Sequence, residues 1–400
     1  MRFGMVTTFY PPFSYGGDAT YVRNLARSLV DLGHQVEVMA STDAYLVRSA
    51  EGPTDRSGEI DGIRVHRLRH PAGLLAPLIS HQTGHPGLYS RAMRSFFAEP
   101  FDVLHFHNIS LMGAPAVLGM GVARARLMTL HDHWLICPTH VLWKNRSRAC
   151  DRRTCFTCSI RSGLPPQLWR YTDLRERSVA KLDRLLAPSR FTAAMHSSNG
   201  VRAPINVLPL FSSIAGTGTA TQPASNRIIF AGRLTALKGI GSLVRVVAGM
   251  PDIELQVIGE GDMKAELVAG YGDKPNIHFL GQLDQHALAQ FYAAAAAVVV
   301  PSIVPETFGL AVVEAAACGT PALVAQGAGG ASEIVKTTGG GLLYEGDAGL
   351  ADAIRRLTSD SALRNQLGAL ARAGYECHYT REAHLEAYLR HVDEIVHNRT

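Results

Sequence analysis

Hydrophobic and polar positions alternate along the chain in two rhythms, one typical of buried strands and the other of amphipathic helices. Phe3–Thr7 is a short apolar run, and the segment Tyr21–Leu32 then carries apolar residues at helical spacing. Asp18 is suited to cap the start of that helix and Gly33 to end it. Gln35–Ala40 is strand-like again. This alternation predicts parallel sheets covered by helices on both faces.

The length of the chain and a change in pattern near its middle predict two domains. Four hundred residues exceed what one ordinary hydrophobic core contains. Ile205–Leu210 is strand-like, Ser212–Asn226 is rich in small residues and lacks periodicity, and Ile228–Ala231 resumes the alternation.

We therefore expect one Rossmann-like domain over residues 1–210 and a second over residues 211–378. The remaining segment, 379–400, contains apolar residues at helical spacing, which predict an amphipathic helix over Arg381–His397.

Charge is distributed unevenly between the two halves. Residues 1–210 hold 25 Lys and Arg against 15 Asp and Glu, and residues 211–400 hold 14 against 19. The basic half indicates either an arginine-rich soluble surface or attraction to an anionic membrane or an anionic acceptor, such as a lipid diphosphate. Nucleic acid is not expected as a partner, because the arginines are dispersed and no recognised binding motif accompanies them.

Two observations bear on location. No apolar run reaches the ~18 residues that span a bilayer. The apolar start of the chain lacks the charged beginning and cleavage site of a signal peptide. We expect a cytoplasmic protein.

The segment most informative about function is Pro305–Ala315, in which Glu306 and Glu314 lie eight positions apart. The pattern predicts a strand, a loop and a helix that starts near Phe308. The N-terminus of a helix suits a phosphate, and at Gly309 no side chain would keep an anion away. Glu314, one turn into the helix, can accept hydrogen bonds from sugar hydroxyls. The alternative is two surface glutamates on an ordinary turn.

Two cations follow a strand-like segment at the start of the second domain. Arg233 offers a bidentate fork and Lys238 a point charge, and the adjacent Gly232 and Gly239 would let an anion approach the backbone. The alternative is a pair of solvent-exposed cations.

Gly16 and Gly17 lie between the first strand and the first helix, where glycine permits either a plain turn or close approach of a ligand. Neither G-x-G-x-x-G after the first strand nor a P-loop sequence is present. These absences argue against a dinucleotide-dependent oxidoreductase and a P-loop kinase.

Histidines follow two predicted strands of the first domain. His131 comes directly after Leu127–Leu130, and the carboxyl ends of strands in an open α/β sheet face the ligand crevice. His105 and His107 alternate along Asp102–Phe106 and its continuation, so both should point to one face. We expect His105 to lie in the core.

Four of the six cysteines fall in one short insertion, residues 137–158, with the spacing C-x₁₂-C-x₄-C-x₂-C. Four thiolates form a closed tetrahedral zinc site, and the arginines among them are expected to stabilise thiolates. An iron–sulfur cluster and no metal at all stay open as alternatives. The candidate ligands are Cys137, Cys150, Cys155 and Cys158.

These segments resemble the retaining glycosyltransferases of the GT-B fold, and most closely the glycosyltransferase family 4 group. Glu306 to Glu314 matches that group's E-x₇-E signature. Phe230–Leu234 with Lys238–Gly239 matches the segment in which an arginine and a lysine hold the donor diphosphate. The resemblance covers nearly the whole chain, with further matches at Pro11–Gly17, Gly33–His34, Val257–Gly261, Ile277–Gly281 and Gly327–Glu333.

The resemblance implies two Rossmann-like, doubly wound parallel-sheet domains that face each other across a cleft. The acceptor would lie on residues 1–210, the donor on residues 211–378, and the last helix would cross back to the first domain. Arg233 and Lys238 would hold the diphosphate, with Glu306 by the donor sugar and His131 at the reacting centre. The same resemblance implies donor-binding roles for Gly16, Gly17, Phe308, Gly309, Leu310 and Glu314, the last on the ribose.

The resemblance thus implies transfer of a hexosyl group from a UDP- or GDP-linked sugar to a glycan, lipid-linked or small-molecule acceptor, with retention of configuration. A nucleotide-sugar epimerase and a non-catalytic nucleotide-sugar-binding protein are the alternatives on the same fold. No catalytic metal is expected, because Arg233 and Lys238 would take its place. Peripheral contact with the inner face of a membrane is one interpretation of the basic half.

Overall fold

The computed structural model describes residues 1–47, 49, 52, 57–214 and 226–398. Most of the predicted linker, residues 215–225, therefore lies outside the described part of the chain. None of the described helices is long and apolar enough to cross a membrane.

The chain divides into two compact units. The first comprises Met1–Leu208 with Leu385–Thr400, and the second comprises Pro209–His384. These boundaries lie two residues before and six residues after the positions expected from the sequence, 210 and 378. Each unit has its own buried hydrophobic cluster.

The first unit is built on a sheet of eight described strands in the order β10-β9-β6-β5-β1-β2-β4-β3, with a separate hairpin formed by β7 and β8. Its strands are β1 (Arg2–Val6), β2 (Gln35–Ser41), β3 (Ser57–Ile60), β4 (Ile63–Leu68), β5 (Phe101–Phe106), β6 (Ala123–Thr129), β7 (Trp143–Lys144), β8 (Arg148–Ala149), β9 (Arg184–Ala187) and β10 (Ile205–Val207). Its helices are α1 (Gly17–Asp31), α2 (Thr42–Leu46), α3 (Leu75–Thr83), α4 (Ser90–Phe96), α5 (Cys155–Arg161), α6 (Leu174–Val179) and α7 (Arg190–Ser198), with 3₁₀ turns at Gly87–Tyr89, Ala116–Gly119 and Leu168–Tyr171.

The order of strands in this sheet reverses at β1, which pairs in parallel with β2 on one side and with β5 on the other. In open α/β sheets, ligands bind outside the carboxyl ends of the strands at such a reversal. The edge strand β3 departs from the predicted parallel pattern, since it runs antiparallel to β4. Asp61 and Gly62 join the two strands and both have positive φ, as a two-residue hairpin turn requires.

The second unit is built on a sheet of six described strands in the order β13-β12-β11-β14-β15-β16. Its strands are β11 (Arg227–Ala231), β12 (Glu254–Ile258), β13 (Ile277–Gly281), β14 (Ala297–Val300), β15 (Ala322–Ala325) and β16 (Gly341–Tyr344). Its helices are α8 (Ile240–Ala248), α9 (Lys264–Tyr271), α10 (Gln285–Ala293), α11 (Leu310–Ala317), α12 (Gly330–Thr338), α13 (Gly346–Ser359) and α14 (Ser361–His378), with a 3₁₀ turn at Ala236–Lys238. The final helix, α15 (Arg381–His397), contains the boundary between the two units.

All strand pairs described in the second sheet are parallel, and the order reverses between β11 and β14. The loops that follow these two strands therefore begin side by side at the carboxyl edge of the sheet. This edge is where the rule for open sheets places a ligand.

The ends of the helices test the capping predictions. Gly33, with φ of 84°, follows the last turn of α1, as predicted. The prediction that Asp18 caps α1 is wrong, because the N-cap residue is Gly16 and Asp18 lies within the first turn. There its carboxylate still complements the positive end of the helix dipole. The predicted strand Ile205–Leu210 ends at Val207, and α15 has the predicted bounds.

Candidate functional site

In the second unit, the loops after β11 and β14 bring a cation and a carboxylate together. The ammonium of Lys238 lies 2.8 Å from Oε1 of Glu306. The hydroxyl of Ser302 also donates to this carboxylate oxygen. The two residues are 68 positions apart in sequence, and the reversal of strand order between β11 and β14 explains why they meet.

Backbone contacts hold these two loops against each other. Gly239 has φ of 70°, and a Cβ atom there would lie 1.9 Å from the carbonyl oxygen of Pro301. The amide of Ile303 donates to the carbonyl of Leu237 at 3.1 Å. Only glycine allows this approach, so Gly239 fixes the position of the neighbouring Lys238.

Helix α11 begins beside this pair and has a free N-terminus. It starts at Leu310, two residues later than predicted, with Gly309 as the N-cap residue and no capping side chain. Gly309 has φ of 136°, and a Cβ atom there would lie 2.7 Å from Cβ of Ala331. The first-turn N–H groups of a helix have no partner within the helix, so this end suits an anion. Phe308 is buried beside Tyr379, which leaves its backbone as the part that could contact a ligand.

Arg233 lies at the same carboxyl edge, two residues after β11. Its side chain is exposed, and among the described residues it has no ion-pair or hydrogen-bond partner. A guanidinium in this state is available to bind a phosphate in a bidentate manner. The edge therefore combines an unpaired guanidinium, a paired ammonium and a helix N-terminus.

Glu314 lies one turn into α11, and its carboxylate accepts a hydrogen bond of 3.1 Å from the hydroxyl of Tyr292 on α10. Burial raises the pKa of Glu314 to about 7, although the bond from Tyr292 opposes this shift. Further hydrogen bonds to this carboxyl group, such as those from a ligand, would stabilise its charged form. Tyr292 was not predicted as a partner of Glu314, because it lies 22 positions away on a neighbouring helix.

In the first unit, His131 follows β6 and pairs with a histidine that follows the adjacent strand β5. Nδ1 of His107 lies 3.0 Å from Nε2 of His131. Burial lowers the pKa of His131 to about 4 and holds the pKa of His107 well below its usual range. Both imidazoles are therefore neutral near pH 7. They line one small pocket with Asn108 and Asp132.

A third histidine of this group, His105, has a structural position. His105 is fully buried, its Nε2 lies 2.8 Å from the Thr129 hydroxyl, and its Nδ1 lies 3.1 Å from the hydroxyl of Tyr388 on α15. The core position expected for His105 is thus confirmed. His107 lies 4.0 Å from His105 between ring centroids, so the two share one face as predicted.

Gly16 and Gly17 are connected to His131 through α1. Gly16 has φ of 87° and precedes the helix. One turn further, the ring of Tyr21 lies edge-on to His131 with a centroid distance of 5.3 Å. Within the first unit, the glycine turn and His131 therefore belong to one neighbourhood.

The four clustered cysteines come from a loop, the end of the β7–β8 hairpin and the first turn of α5. Burial and the nearness of the other three thiols raise the pKa of Cys150, and burial also raises that of Cys155. The backbone amide of Asn145 donates to Sγ of Cys158 at 3.3 Å. Within the residues that the structure describes, however, no group of three or more His, Cys, Asp or Glu side chains is arranged to hold a metal ion. The metal site stays a prediction.

The pKa values of Cys150 and Cys155 are raised, chiefly by burial. The expected effect of neighbouring arginines is present at Cys155, where Arg153 lowers the pKa but is outweighed by burial, and is not found at Cys150. Three arginines of the segment have other partners, among them Arg148, which pairs with Asp151 at 3.6 Å. Arg146 donates to the carbonyl of Ser162, and Arg153 donates to Asn199.

Comparison with known proteins agrees with this architecture. Residues 219–374 match the family "Glycosyl transferases group 1", and residues 15–211 match "Glycosyltransferase Family 4". A D-inositol 3-phosphate glycosyltransferase of Nocardia farcinica is 36% identical over 391 residues, covering 86% of this chain and 84% of the relative.

Solved structures show the same fold. Sucrose-phosphate synthase from Thermosynechococcus elongatus superposes with a TM-score of 0.75 at 20% identity, covering 98% of both chains. The Anabaena protein HepE, in complex with UDP-glucose, superposes with a TM-score of 0.66 at 17% identity, covering 98% of this chain and 100% of the other. These likenesses identify the two parallel-sheet units as a GT-B fold. The chain belongs to the glycosyltransferases of the family 4 and group 1 type.

Proposed function

We propose that this glycosyltransferase moves a hexosyl group from a nucleotide-diphosphate sugar to an acceptor with retention of anomeric configuration. The bond from the anomeric carbon to a diphosphate oxygen breaks, and a bond to an acceptor oxygen forms on the same face of the sugar. The observation that carries this proposal is the pairing of Lys238 with Glu306 beside the free N-terminus of α11.

The leaving diphosphate gains negative charge as the glycosidic bond breaks, and groups fixed in advance around that charge stabilise the transition state. Arg233, Lys238 and the amides at Gly309 and Leu310 are the groups assigned this role. With two protein cations present, the proposed reaction needs no catalytic metal.

The carboxylate of Glu306 lies beside the ammonium of Lys238 and accepts a hydrogen bond from the hydroxyl of Ser302. In the proposed complex, Glu306 accepts hydrogen bonds from hydroxyls of the donor sugar while Lys238 turns its charge toward the diphosphate. Glu314 accepts hydrogen bonds from the ribose. Both carboxylates thus position the donor and do not act as nucleophiles.

His131 is assigned to the donor sugar in the first unit. Because its pKa is lowered to about 4, it would act at neutral pH as an uncharged hydrogen-bonding group. It would not add a positive charge to a centre that itself becomes positive. Gly16, which precedes α1, and Gly17, its first residue, are assigned to the donor as well.

The named substrates of similar proteins indicate which donors and acceptors to test first. The Nocardia farcinica relative is a D-inositol 3-phosphate glycosyltransferase, and the HepE complex contains UDP-glucose. UDP- and GDP-linked hexoses are therefore the donors proposed here, with a phosphorylated or lipid-linked hydroxyl compound as acceptor. The six cysteines are all free thiols, which suits the reducing cytoplasm proposed as the site of action.

Incubation with donor alone separates transfer from epimerisation, and incubation with donor and acceptor separates transfer from binding without catalysis. A transferase gives slow hydrolysis or no reaction, an epimerase gives a new nucleotide sugar, and a non-catalytic binding protein gives neither reaction under any condition. With an acceptor present, proton NMR of the product reads the anomeric configuration directly. A product with inverted configuration would overturn the proposal.

A further inference from the structure

Exposed hydrophobic side chains are concentrated in one part of the first unit. Of the eighteen large hydrophobic residues exposed in the described chain, ten lie between Leu74 and Tyr171. All of these except Val122 lie on or beside α3, α5 and the 3₁₀ turns Gly87–Tyr89 and Leu168–Tyr171. The second unit has four, which are scattered between Val268 and Leu370. Isolated exposed hydrophobics need no explanation, but a group of this size marks an interaction surface.

Contacts between elements show that these side chains form one surface. Helix α3 packs beside the 3₁₀ turn Leu168–Tyr171, and the indole of Trp169 in that turn donates to the carbonyl of His81 on α3 at 3.0 Å. The ring of Tyr171 in turn lies 6.5 Å from the ring of Phe156 on α5. We call this surface the apolar face and define it by six exposed residues of α3, α5 and this turn, namely Leu75, Leu78, Phe156, Ile160, Leu168 and Tyr171.

Each short helix in this surface turns hydrophobic side chains outward. On α3, Leu75 and Leu78 are spaced three residues apart and are 56% and 45% exposed. On α5, Phe156 and Ile160 are spaced four residues apart and are 46% and 55% exposed. Residues at these spacings share one side of a helix, so the exposure is not limited to loop tips.

The surroundings of the apolar face are strongly cationic. Residues 69–98 contain three arginines and no acidic residue, and residues 144–177 contain nine Lys and Arg against three Asp and Glu. Arg152 precedes α5 and Arg161 ends it. Both side chains are exposed, and within the described chain neither guanidinium has a carboxylate partner, although the backbone amide of Arg152 donates to Asp151.

We propose that the apolar face docks on an anionic lipid bilayer. Helices with outward hydrophobic side chains and flanking arginines match the interfacial layer, where the side chains enter the acyl boundary and the guanidiniums meet anionic headgroups. The exposed guanidinium groups favour an anionic bilayer over a homodimer as the partner. A second copy of this chain would bring the same positive charge to the contact.

Vesicle co-sedimentation of the full chain tests this. Parent protein should bind vesicles of 70% phosphatidylcholine and 30% phosphatidylglycerol roughly tenfold or more tightly than vesicles of phosphatidylcholine alone. The double variant Leu75→Glu/Ile160→Glu should lose this binding, and Arg152→Gln/Arg161→Gln should weaken it about 30-fold. The matched control, Val268→Glu/Leu370→Glu, places two charges on exposed hydrophobic positions of the second unit and should bind as the parent does.

Three outcomes would overturn the proposal: equal binding to both kinds of vesicle, binding that survives Leu75→Glu/Ile160→Glu, or a dimer in sedimentation velocity that this variant dissociates while vesicles bind neither protein. Far-ultraviolet circular dichroism checks that each variant is folded. The experiment contains neither donor nor acceptor, so its result is independent of the proposed glycosyl transfer.

Discussion

The two units differ in the charge of the side chains at the carboxyl edge of their sheets. In the second unit, the edge holds an exposed guanidinium, a Lys–Glu pair and a helix N-terminus within glycine-rich loops. In the first unit, the edge holds neutral histidines bonded to one another, with pKa values lowered by burial. Fixed positive charge therefore belongs to the side assigned to the leaving diphosphate, and neutral hydrogen bonding to the side assigned to the sugar.

This difference has a structural origin. The second-unit loops pack against each other through glycine backbones, as Gly239 does against Pro301. In the first unit, His131 instead packs against an aromatic side chain, the ring of Tyr21. Variants that exchange charge at one edge should thus affect catalysis differently from variants at the other.

The largest effect is expected from removing either cation of the second unit. Arg233→Ala and Lys238→Ala should each lower kcat by about 10²–10³, the cost of one preorganised donor to a developing negative charge. Steady-state kinetics with the best donor and acceptor measures this. Arg245→Ala removes an exposed arginine of α8 that pairs with Asp347, and should leave kcat unchanged.

The same assay tests whether the cations replace a metal. Activity should persist in a chelator that leaves the cysteine segment intact. A complete loss that Mg²⁺ alone restores would contradict the role given to Arg233 and Lys238.

A smaller effect is expected at the ribose. Glu314→Ala should weaken donor binding by about 1.5–3 kcal/mol, the range for a lost hydrogen bond to a charged group. Isothermal titration calorimetry gives the affinity. Glu266→Ala, on the exposed side of α9, is the matched control, and unchanged affinity of Glu314→Ala for every nucleotide sugar that binds the parent would refute the assignment.

Glu314 should also make stability depend on pH. Its pKa is about 7 in the folded chain against 4.5 for an ordinary glutamate, so between these values the folded state holds a proton that the unfolded state has released. The free energy of unfolding should therefore fall as pH rises through this window, by on the order of 2 kcal/mol. Glu314→Gln lacks this term, and its stability relative to the parent should rise from pH 5 to pH 8 in urea denaturation. If the difference in the free energy of unfolding between Glu314→Gln and the parent stays constant with pH, the raised pKa of Glu314 is contradicted.

The smallest expected effect on catalysis concerns the cysteine segment of the first unit. If the four thiols hold a structural metal, elemental analysis should find one ion per chain, and Cys155→Ser should lower stability before activity. Cys377→Ser, which changes an exposed thiol of α14, is the control. A metal-free, fully active protein with four titratable thiols in residues 137–158 would rule the site out.

The sequence was sufficient where a role depends on the ends of adjacent strands. Lys238 and Glu306 meet because β11 and β14 are neighbours at the reversal of strand order, and alternation of strands and helices predicts such an edge. It was insufficient where a partner comes from a distant element, as Tyr292 does for Glu314 and Tyr388 does for His105. No local spacing encodes those contacts.

Two further misses have local causes. The Asp61–Gly62 pair is a hairpin signal that the alternating pattern obscured, so β3 was not predicted. Asp18 has the chemistry of a capping residue, but Gly16 already adopts the turn that begins α1. In the cysteine segment, the spacing predicts four candidate metal ligands. It does not determine whether the four thiols point toward one another.

The central claim is that the carboxyl edge of the second unit binds a nucleoside diphosphate, and calorimetric titration of UDP and GDP in the absence of divalent metal tests it most directly. The parent should bind at least one of the two. Arg233→Ala and Lys238→Ala should each bind it at least roughly tenfold more weakly, as expected when a charge-assisted hydrogen bond is lost. Lys336→Ala, an exposed lysine in the last turn of α12, should bind it as the parent does. Equal affinity in all four proteins, or no binding of either nucleotide to the parent, would contradict the account.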